Sequence, residues 1–502
     1  MPTLKTANPQ ISVRLYKTIS RETVDGQIAV SARYRGKAEF IELTPFLGDG
    51  ASVRTSKSVR EPAGGFVVTF ADKANSTSGM LESVYGLVEP MDVVEIRMWG
   101  GTGVHTAGEL PVVMRGFVSE ITRGQAMSDS GQPVRTVAIT GQDYGKLWQT
   151  YQVIYLAAYA EGKPLLTNFQ LFELFGVGVT TGMKAGEFVR TMVEKVINPH
   201  LKGLMPENSK ELMKKIQTGK SIAVKHGVVN NSYQQAQGSI YDILKFHGDV
   251  GVWNELYLED REDGVHVVYR PIPALKLSGS GATGRETIQD DAPKPTFVPV
   301  PASLVKSLTP SRGDAQVVNF FWVNNSSFDL IDDGQRKLMS IPSNDSSVSL
   351  KDYPNTAVRY YGARPMFAQT QQWDDALPVT GSGQDQTEQD KRTPKLEAWL
   401  DRRRRLMAEM NKDNVVLERG SATIKGGIMR PGSDRDLMKA GDYALFQFGG
   451  LEWVAYVTQV DHEWIPFQGY TQTLHFERGE GFVTRARTNA SPYLVEQSTG
   501  GL

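Results

Sequence analysis

The chain has 502 residues, with 55 lysines and arginines against 56 acidic residues and no cysteine. A formal charge of −1 supplies no whole-molecule field to recruit nucleic acid or an anionic membrane. The lack of cysteine removes disulfides, thiolate metal sites and thiol nucleophiles together, and fits a reducing compartment. No apolar run approaches the ~18 residues of a membrane-spanning helix, and no apolar signal segment follows Met1-Pro2-Thr3-Leu4-Lys5. The length suggests about 3–4 domains. Its 49 glycines and 25 prolines punctuate many short strands, so the expected class is mainly β with an inserted α/β region.

Residues 1–145 read as a first β-domain, a barrel or sandwich, with strands at Ile11 to Tyr16, Phe66 to Phe70, Asp92 to Met98, Val112 to Thr122 and Arg135 to Thr140. Between the last two, Gly124 to Pro133 carries no apolar period and predicts a hairpin loop longer than a tight turn. Residues 146–250 change to a helical period. Phe188, Val189, Met192, Val193, Val196 and Ile197 form a stripe expected to end at Asn198-Pro199. A second helix starts at Ser239, with Asp242 three residues on as a relative of the capping box, and stops at Gly248.

Residues 251–392 read as a mixed β and loop connection. It opens with a hairpin, Trp253 to Leu258 and Val265 to Tyr269, whose tip Glu259-Asp260-Arg261-Glu262-Asp263-Gly264 carries five charges and is expected in solvent. Residues 275–300 and 378–393 lack periodicity and read as loops or joints. A helix is expected to open at Thr393-Pro394, with Leu396, Trp399, Leu400, Met407 and Met410 on one face. It leads into a second β-domain, so that 393–486 form one unit and 487–502 a tail. The strands expected there are Ala422 to Lys425, Tyr443 to Phe448, Trp453 to Val460 and Thr471 to Arg478. Two strand pairs are comparable, Val118 to Thr122 with Arg135 to Thr140 and Val457 to Asp461 with Thr471 to His475. Any half-buried hairpin alternates in this way, so the likeness does not by itself establish a duplication.

Catalytic signatures are missing. There is no G-x-S-x-G elbow, no phosphate loop and no H-E-x-x-H, and no two of the seven histidines have the spacing of a helical metal site. Gly279, Gly281 and Gly284 match G-x-G-x-x-G, but Pro271 and Pro273 precede them and no helix pattern follows, so they read as a loop with no cofactor. Paired acids such as Asp332-Asp333 and Asp374-Asp375 are the turn caps that adjacent carboxylates commonly make, and Arg312-Gly313-Asp314 is a chance triplet. The run Arg402 to Arg405 fans around a helix at ~100° steps, and arginine's rigid fork suits carboxylates across a subunit interface. Candidate contact residues are therefore Ser128, Asp129 and Gln132 in the unpatterned loop, with Trp399, Arg402, Arg403, Arg404 and Arg405 on the helix. No catalytic, cofactor or metal residue is assigned.

Three stretches resemble a known family. They are Gly64 to Asp72 with Met91 to Ile96, Arg115 to Val118 and Ile139 to Leu147; then Trp253 to Tyr257 with Val268 to Pro273; then Gly441 to Tyr443, Val457 to His462 and Gly469 to Leu474 with Glu477 to Gly479. Their order over residues 60–480 resembles the central hub proteins of contractile phage tails, typified by the hub of the T-even phages and relatives in Mu-like phages. The resemblance implies two tube-like β-barrel domains at the two ends of the chain, joined by a mixed α/β middle. It implies a homotrimeric ring, non-enzymatic, that joins a threefold central spike to a sixfold tail tube or tube-initiator protein. Tape measure protein and DNA would pass through it in transit, and baseplate wedge proteins would surround it. The location implied is the virion tail baseplate, assembled in the host cytoplasm, without stable membrane insertion. A distal tail protein, or a tail-associated peptidoglycan hydrolase, are the alternatives.

Overall fold

The computed structural model describes residues 10–18, 40–72, 83–101, 110–127, 131, 133–153, 183–207, 209–229, 238–277, 285–325, 354–373, 386–448, 451–481 and 483. The numbered strands are those of five or more residues. In the first half they are β1 (Gln10–Tyr16), β2 (Ser52–Ser58), β3 (Gly65–Ala71), β4 (Val93–Trp99), β5 (Val112–Met127), β6 (Pro133–Asp143), β7 (Asn254–Arg261) and β8 (Gly264–Pro271). The second half holds β9 (Phe297–Pro301), β10 (Val305–Ser311), β11 (Phe320–Asn325), β12 (Pro365–Thr370), β13 (Glu418–Lys425), β14 (Tyr443–Phe448), β15 (Leu451–Ile465) and β16 (Gly469–Gly479). Helices of six or more residues are α1 (Gly145–Thr150), α2 (Ala185–Met192), α3 (Asn198–Leu204), α4 (Ile240–His247) and α5 (Gln386–Asn411).

Strands from both ends of the chain share one thirteen-stranded sheet. The first unit runs β2-β3-β6-β5-β4-β1 and the second runs β10-β13-β16-β15-β14-β9. Counting only the strands of each unit in chain order, each position is filled by the strand of the same rank, so the two units have one connectivity. The described strands form open paths and close no barrel. One pairing differs: β1 is antiparallel to β4, whereas β9 is parallel to β14.

The likeness extends to single residues. Val93 pairs with Phe117 and Tyr443 with Tyr456, and in both hairpins a bulge follows at once, after Val118 and after Val457. The turn before β4 repeats before β14. Asp92 accepts a hydrogen bond from the Glu89 N–H at 2.9 Å, and Asp442 accepts one from the Lys439 N–H at 2.9 Å. Val118 N–H donates to Asp92 O at 2.8 Å, and Val457 N–H to Asp442 O at 2.9 Å. Both turns need a left-handed residue just before the aspartate, Met91 at φ 74° and Gly441 at φ 96°. Each buried aspartate has a cation, Lys17 for Asp92 and Arg430 for Asp442.

The units meet edge to edge. β15 is long enough to pair with β14 through its first half and with β2 through its second, from Gln459 opposite Ser58 to Trp464 opposite Val53. Exposed Arg54 and Glu463 pair across this joint at 2.7 Å. β2 itself (Ser-Val-Arg-Thr-Ser-Lys-Ser) shows almost no apolar period: Val53 fills the core, Arg54 and Ser56 make polar contacts across the joint, and Lys57 reaches Asp143 and Asp260.

The α/β insertion packs beside the first unit. The stripe from Phe188 to Ile197 is buried, and so are Ile240, Ile243 and Leu244. The capping box at Ser239 and Asp242 is present in both directions, and Gly248 caps the end of α4. The chain does not leave the helix at Asn198-Pro199. A π-helical turn over Val193–Ile197 runs directly into α3, and the continuous helix carries Pro199 just past that widened turn. Likewise α5 begins at Gln386, before Thr393-Pro394, because residues 386–392 are good helix formers that carry no apolar stripe. The segment 297–311, within the stretches read as loop and connection, supplies β9 and β10 to the second unit's sheet.

Candidate assembly interface

The hairpin β7-β8 is buried on both faces, and its period-2 geometry assigns alternate residues to different cores. Leu256, Leu258 and Val267 join the helical core, Tyr257 and Val268 face the second β unit, and Trp253 packs with α5 and β11. With no solvent face, the strand buries even its polar residues Asn254 and Glu255 beside Leu256, Tyr257 and Leu258.

The acidic tip of this hairpin is only partly in solvent: Glu259 is 5% and Asp260 2% exposed, Arg261 and Glu262 are half-buried, and Asp263 alone is exposed. It enters the cleft between the two β units, and cations from each unit receive it. On the second-unit side, Glu259 accepts from Arg430 at 2.9 Å and lies 3.7 Å from Lys439, while Arg261 of the same hairpin reaches it at 2.7 Å. Burial alone would raise this carboxyl, but Arg430, Lys439 and Arg261 outweigh it and hold Glu259 well below the usual carboxylate range. On the first-unit side, Lys57 of β2 binds both Asp260 and Asp143, the latter at 3.0 Å. Arg97 of β4 holds Glu262 at 3.0 Å, and Arg115 of β5 donates to Arg261 O at 2.7 Å. Glu95 gathers these two arginines at 2.7 Å each. Five like-signed or mixed charges at a hairpin tip suggest solvent only when the partners, here more than 100 residues away on either side, are not known.

At the base of the same hairpin, Arg270 pairs with Glu255 at 3.1 Å and donates to Gly441 O at 2.8 Å. Tyr443 donates to Pro273 O at 2.6 Å. Both ends of the hairpin are thus tied to the second unit.

The basic run on α5 divides as consecutive helical positions must. Arg403 and Arg404 are buried, and Arg402 and Arg405 are exposed. The Arg403 guanidinium lies between two indoles, 4.3 Å from the Trp399 ring centre and 5.2 Å from that of Trp253. It donates to Gln372 Oε1 at 3.2 Å and stands 3.9 Å from Asp249. Asp249 is pushed up to about 6 by burial, against the pull of Arg403. Arg404 and Arg405 both reach Asp401, at 2.6 and 2.7 Å. Trp399 and Arg403 thus fasten α5 to the rest of this chain, Arg404 pairs with Asp401 of the same helix, and Arg402 and Arg405 are the exposed members of the run.

Ser128, Asp129 and Gln132 lie outside the described residues, as do Gly279, Gly281, Gly284, Asp332-Asp333, Asp374-Asp375 and the tail 487–502. The strands that lead to the loop, β5 and β6, extend to Met127 and from Pro133, several residues beyond the alternation visible in the sequence. Of the triplet 312–314, Asp314 is engaged by Arg364 at 2.8 Å. Among the described residues, no group of three or more histidine or acidic side chains is placed to hold a metal, and no helix is long and apolar enough to cross a membrane.

No family model and no curated protein matches this chain. Solved structures do. A tail protein from Neisseria meningitidis MC58 is 9% identical, with 95% of this chain and 98% of that chain covered and a TM-score of 0.43. The 43 kDa tail protein of prophage MuSo2 from Shewanella oneidensis is 10% identical, with coverage of 93% and 96% and a TM-score of 0.42. A type VI secretion component of E. coli, itself described as similar to the T4 bacteriophage tail proteins gp27 and gp5, is 6% identical over 85% of this chain and 73% of that one, with a TM-score of 0.35. At these identities and TM-scores the likeness assigns no residue a role.

Proposed function

We propose that this chain is a structural hub of a contractile-tail baseplate, a non-enzymatic subunit that forms a trimeric ring between a threefold spike and a sixfold tube. The observation that carries this reading is the duplicated β unit. Two units of one connectivity, fused side by side in one sheet, make each chain count as two, so three chains offer three equivalent positions to one neighbour and six to another. The sequence resemblance to tail hubs, carried by residues in both units and in the hairpin between them, supports it. Near-neutral net charge suits a passage for tape measure protein and DNA in transit, since a strongly basic lumen would hold DNA through counterion release. The remaining partners would be the tube or tube-initiator protein and baseplate wedge proteins, in a virion tail assembled in the host cytoplasm without membrane insertion.

The buried carboxylates of the central junction are matched by arginines and lysines, an arrangement for fixing β units and not for protonating a glycosidic oxygen. Zymography on the purified protein separates the hub from a peptidoglycan hydrolase, with no cleared band expected. The deciding experiment is light scattering at several concentrations with negative-stain imaging of the same sample. A mass of three chains and a ring with a central channel is the expected result, and a monomer unaffected by added spike protein would overturn the reading.

A further inference from the structure

The joint inside the chain is made by the free edge of β2 and the second half of β15. Each participant has a counterpart in the other unit. The counterpart of β2 is β10, which pairs with β13 as β2 pairs with β3. The counterpart of the second half of β15 is the second half of β5, beyond its bulge. Neither counterpart edge is paired with a described strand: β10 ends the sheet path, and β5 past Val118 pairs with β6 alone on its other side. Burial reflects the difference. Val460 and His462 in β15 are buried, whereas the equivalent stretch Glu120–Met127 of β5 is largely exposed, Met127 at 67%, and so is most of β10.

We infer that a second copy of this chain fills the vacant position, with β10 of one copy added antiparallel to the second half of β5 of the next, in the register that β2 and β15 display within one chain. This rests on the oligomeric reading above and names the surface through which it is realised. The equivalence fixes the register. Ile139 opposite Val68 corresponds to Leu474 opposite Ala422, and these lead outward to Val53 and Leu308. Along β5 and β15, Ile121 corresponds to Val460, since each lies opposite that same pair of residues. Transferring the observed partners then sets Thr122 opposite Ser311, Gly124 opposite Thr309 and Glu120 opposite Gly313.

The two joints would differ in strength. Val59 N–H donates to Thr458 O, so alternate residues of β2, Thr55 among them, direct their N–H groups toward β15. Pro310 stands where Thr55 stands and offers no N–H, leaving the joint between copies one ladder bond weaker than the joint within the chain. Proline on an exposed edge also discourages pairing in other registers. A heterologous contact of this kind builds a ring when its rotation closes, and n chains then give 2n alternating units.

The absence of native cysteine makes a direct test possible. Thr122→Cys with Ser311→Cys places two thiols at a non-hydrogen-bonded pair between copies, and Glu120→Cys with Gly313→Cys is an independent second pair. Asp461→Cys with Ser56→Cys, the same position within the chain, calibrates the oxidation. After mild oxidation of the full chain, both intermolecular pairs are expected to give covalently linked chains on denaturing gels, while Thr122→Cys with Thr309→Cys, a two-residue slip, stays unlinked. If light scattering finds an oligomer but neither pair links, this edge assignment is wrong and the oligomeric reading stands. A monomer at every concentration, with the internal control linked, would overturn both.

Discussion

Glu259 shows how a residue can be misjudged from its neighbours in sequence. A carboxylate among five charges belongs on the surface unless distant cations meet it, and here Arg430 and Lys439 come from a unit more than 150 residues further on. Removing one partner of such a buried set leaves the others uncompensated, which costs about 3–5 kcal/mol. Glu259→Gln is therefore expected to lower stability at pH 7 by roughly 3 kcal/mol in urea unfolding. The pH dependence has a definite sign. Because the folded carboxyl titrates well below its unfolded value near 4.5, its contribution is full above that value and is lost as pH falls through the folded one, so wild type and variant should converge only in strong acid. His462 provides a second check. Burial lowers it from 6.5 to about 4 while it shares a hydrogen bond of 2.6 Å with Tyr470. A histidine kept neutral contributes fully above pH 6.5, and this is lost as pH falls toward 4, on the order of 3 kcal/mol. His462→Gln should flatten the stability curve across that window, and an unchanged slope would show that the ring is not held neutral.

At the scale of elements, what was legible depended on which face a strand or helix buries. One-sided strands such as β3 and β16 alternate and were found within a residue or two, and the helical stripe from Phe188 to Ile197 proved to be core. The capping box at Ser239 was equally readable because it is local. Ser239→Ala should cost about 1 kcal/mol, measured by thermal melting, with loss of the reciprocal bond to Asp242. Elements whose partners lie outside their own sequence neighbourhood were not readable. β2 forms a joint with few apolar residues, β9 and β10 carry Pro299, Pro301 and Pro310 yet are strands because their edges tolerate proline, and the first turns of α5 have no apolar face. Of the candidate contact set, the helical arginines could be placed on a helix from sequence, but their division into buried Arg403 and Arg404 and exposed Arg402 and Arg405 needed the positions of Trp253 and Asp249.

The duplication belongs to the whole molecule, and its sequence trace is faint for a physical reason. Equivalence is carried by main-chain geometry: a left-handed residue, an aspartate that accepts its own turn's N–H, then a bulge. Side chains at matching places differ as widely as Val93 and Tyr443, or Gly141 and Phe476. The same geometry makes a prediction about cooperativity. The units share a strand joint through β2 and β15, and the hairpin tip is bonded to both, so neither has a boundary across which it can melt alone. A single calorimetric transition is expected, with Glu259→Gln moving all of it, whereas two separated peaks would show that the units fold as independent domains. If the chain also works as an oligomer, its folded state is favoured by association, and the midpoint should rise with protein concentration. A midpoint constant over a hundredfold range of concentration would mean that one chain alone carries the stability, and would leave the exposed edge of β10 without an energetic role.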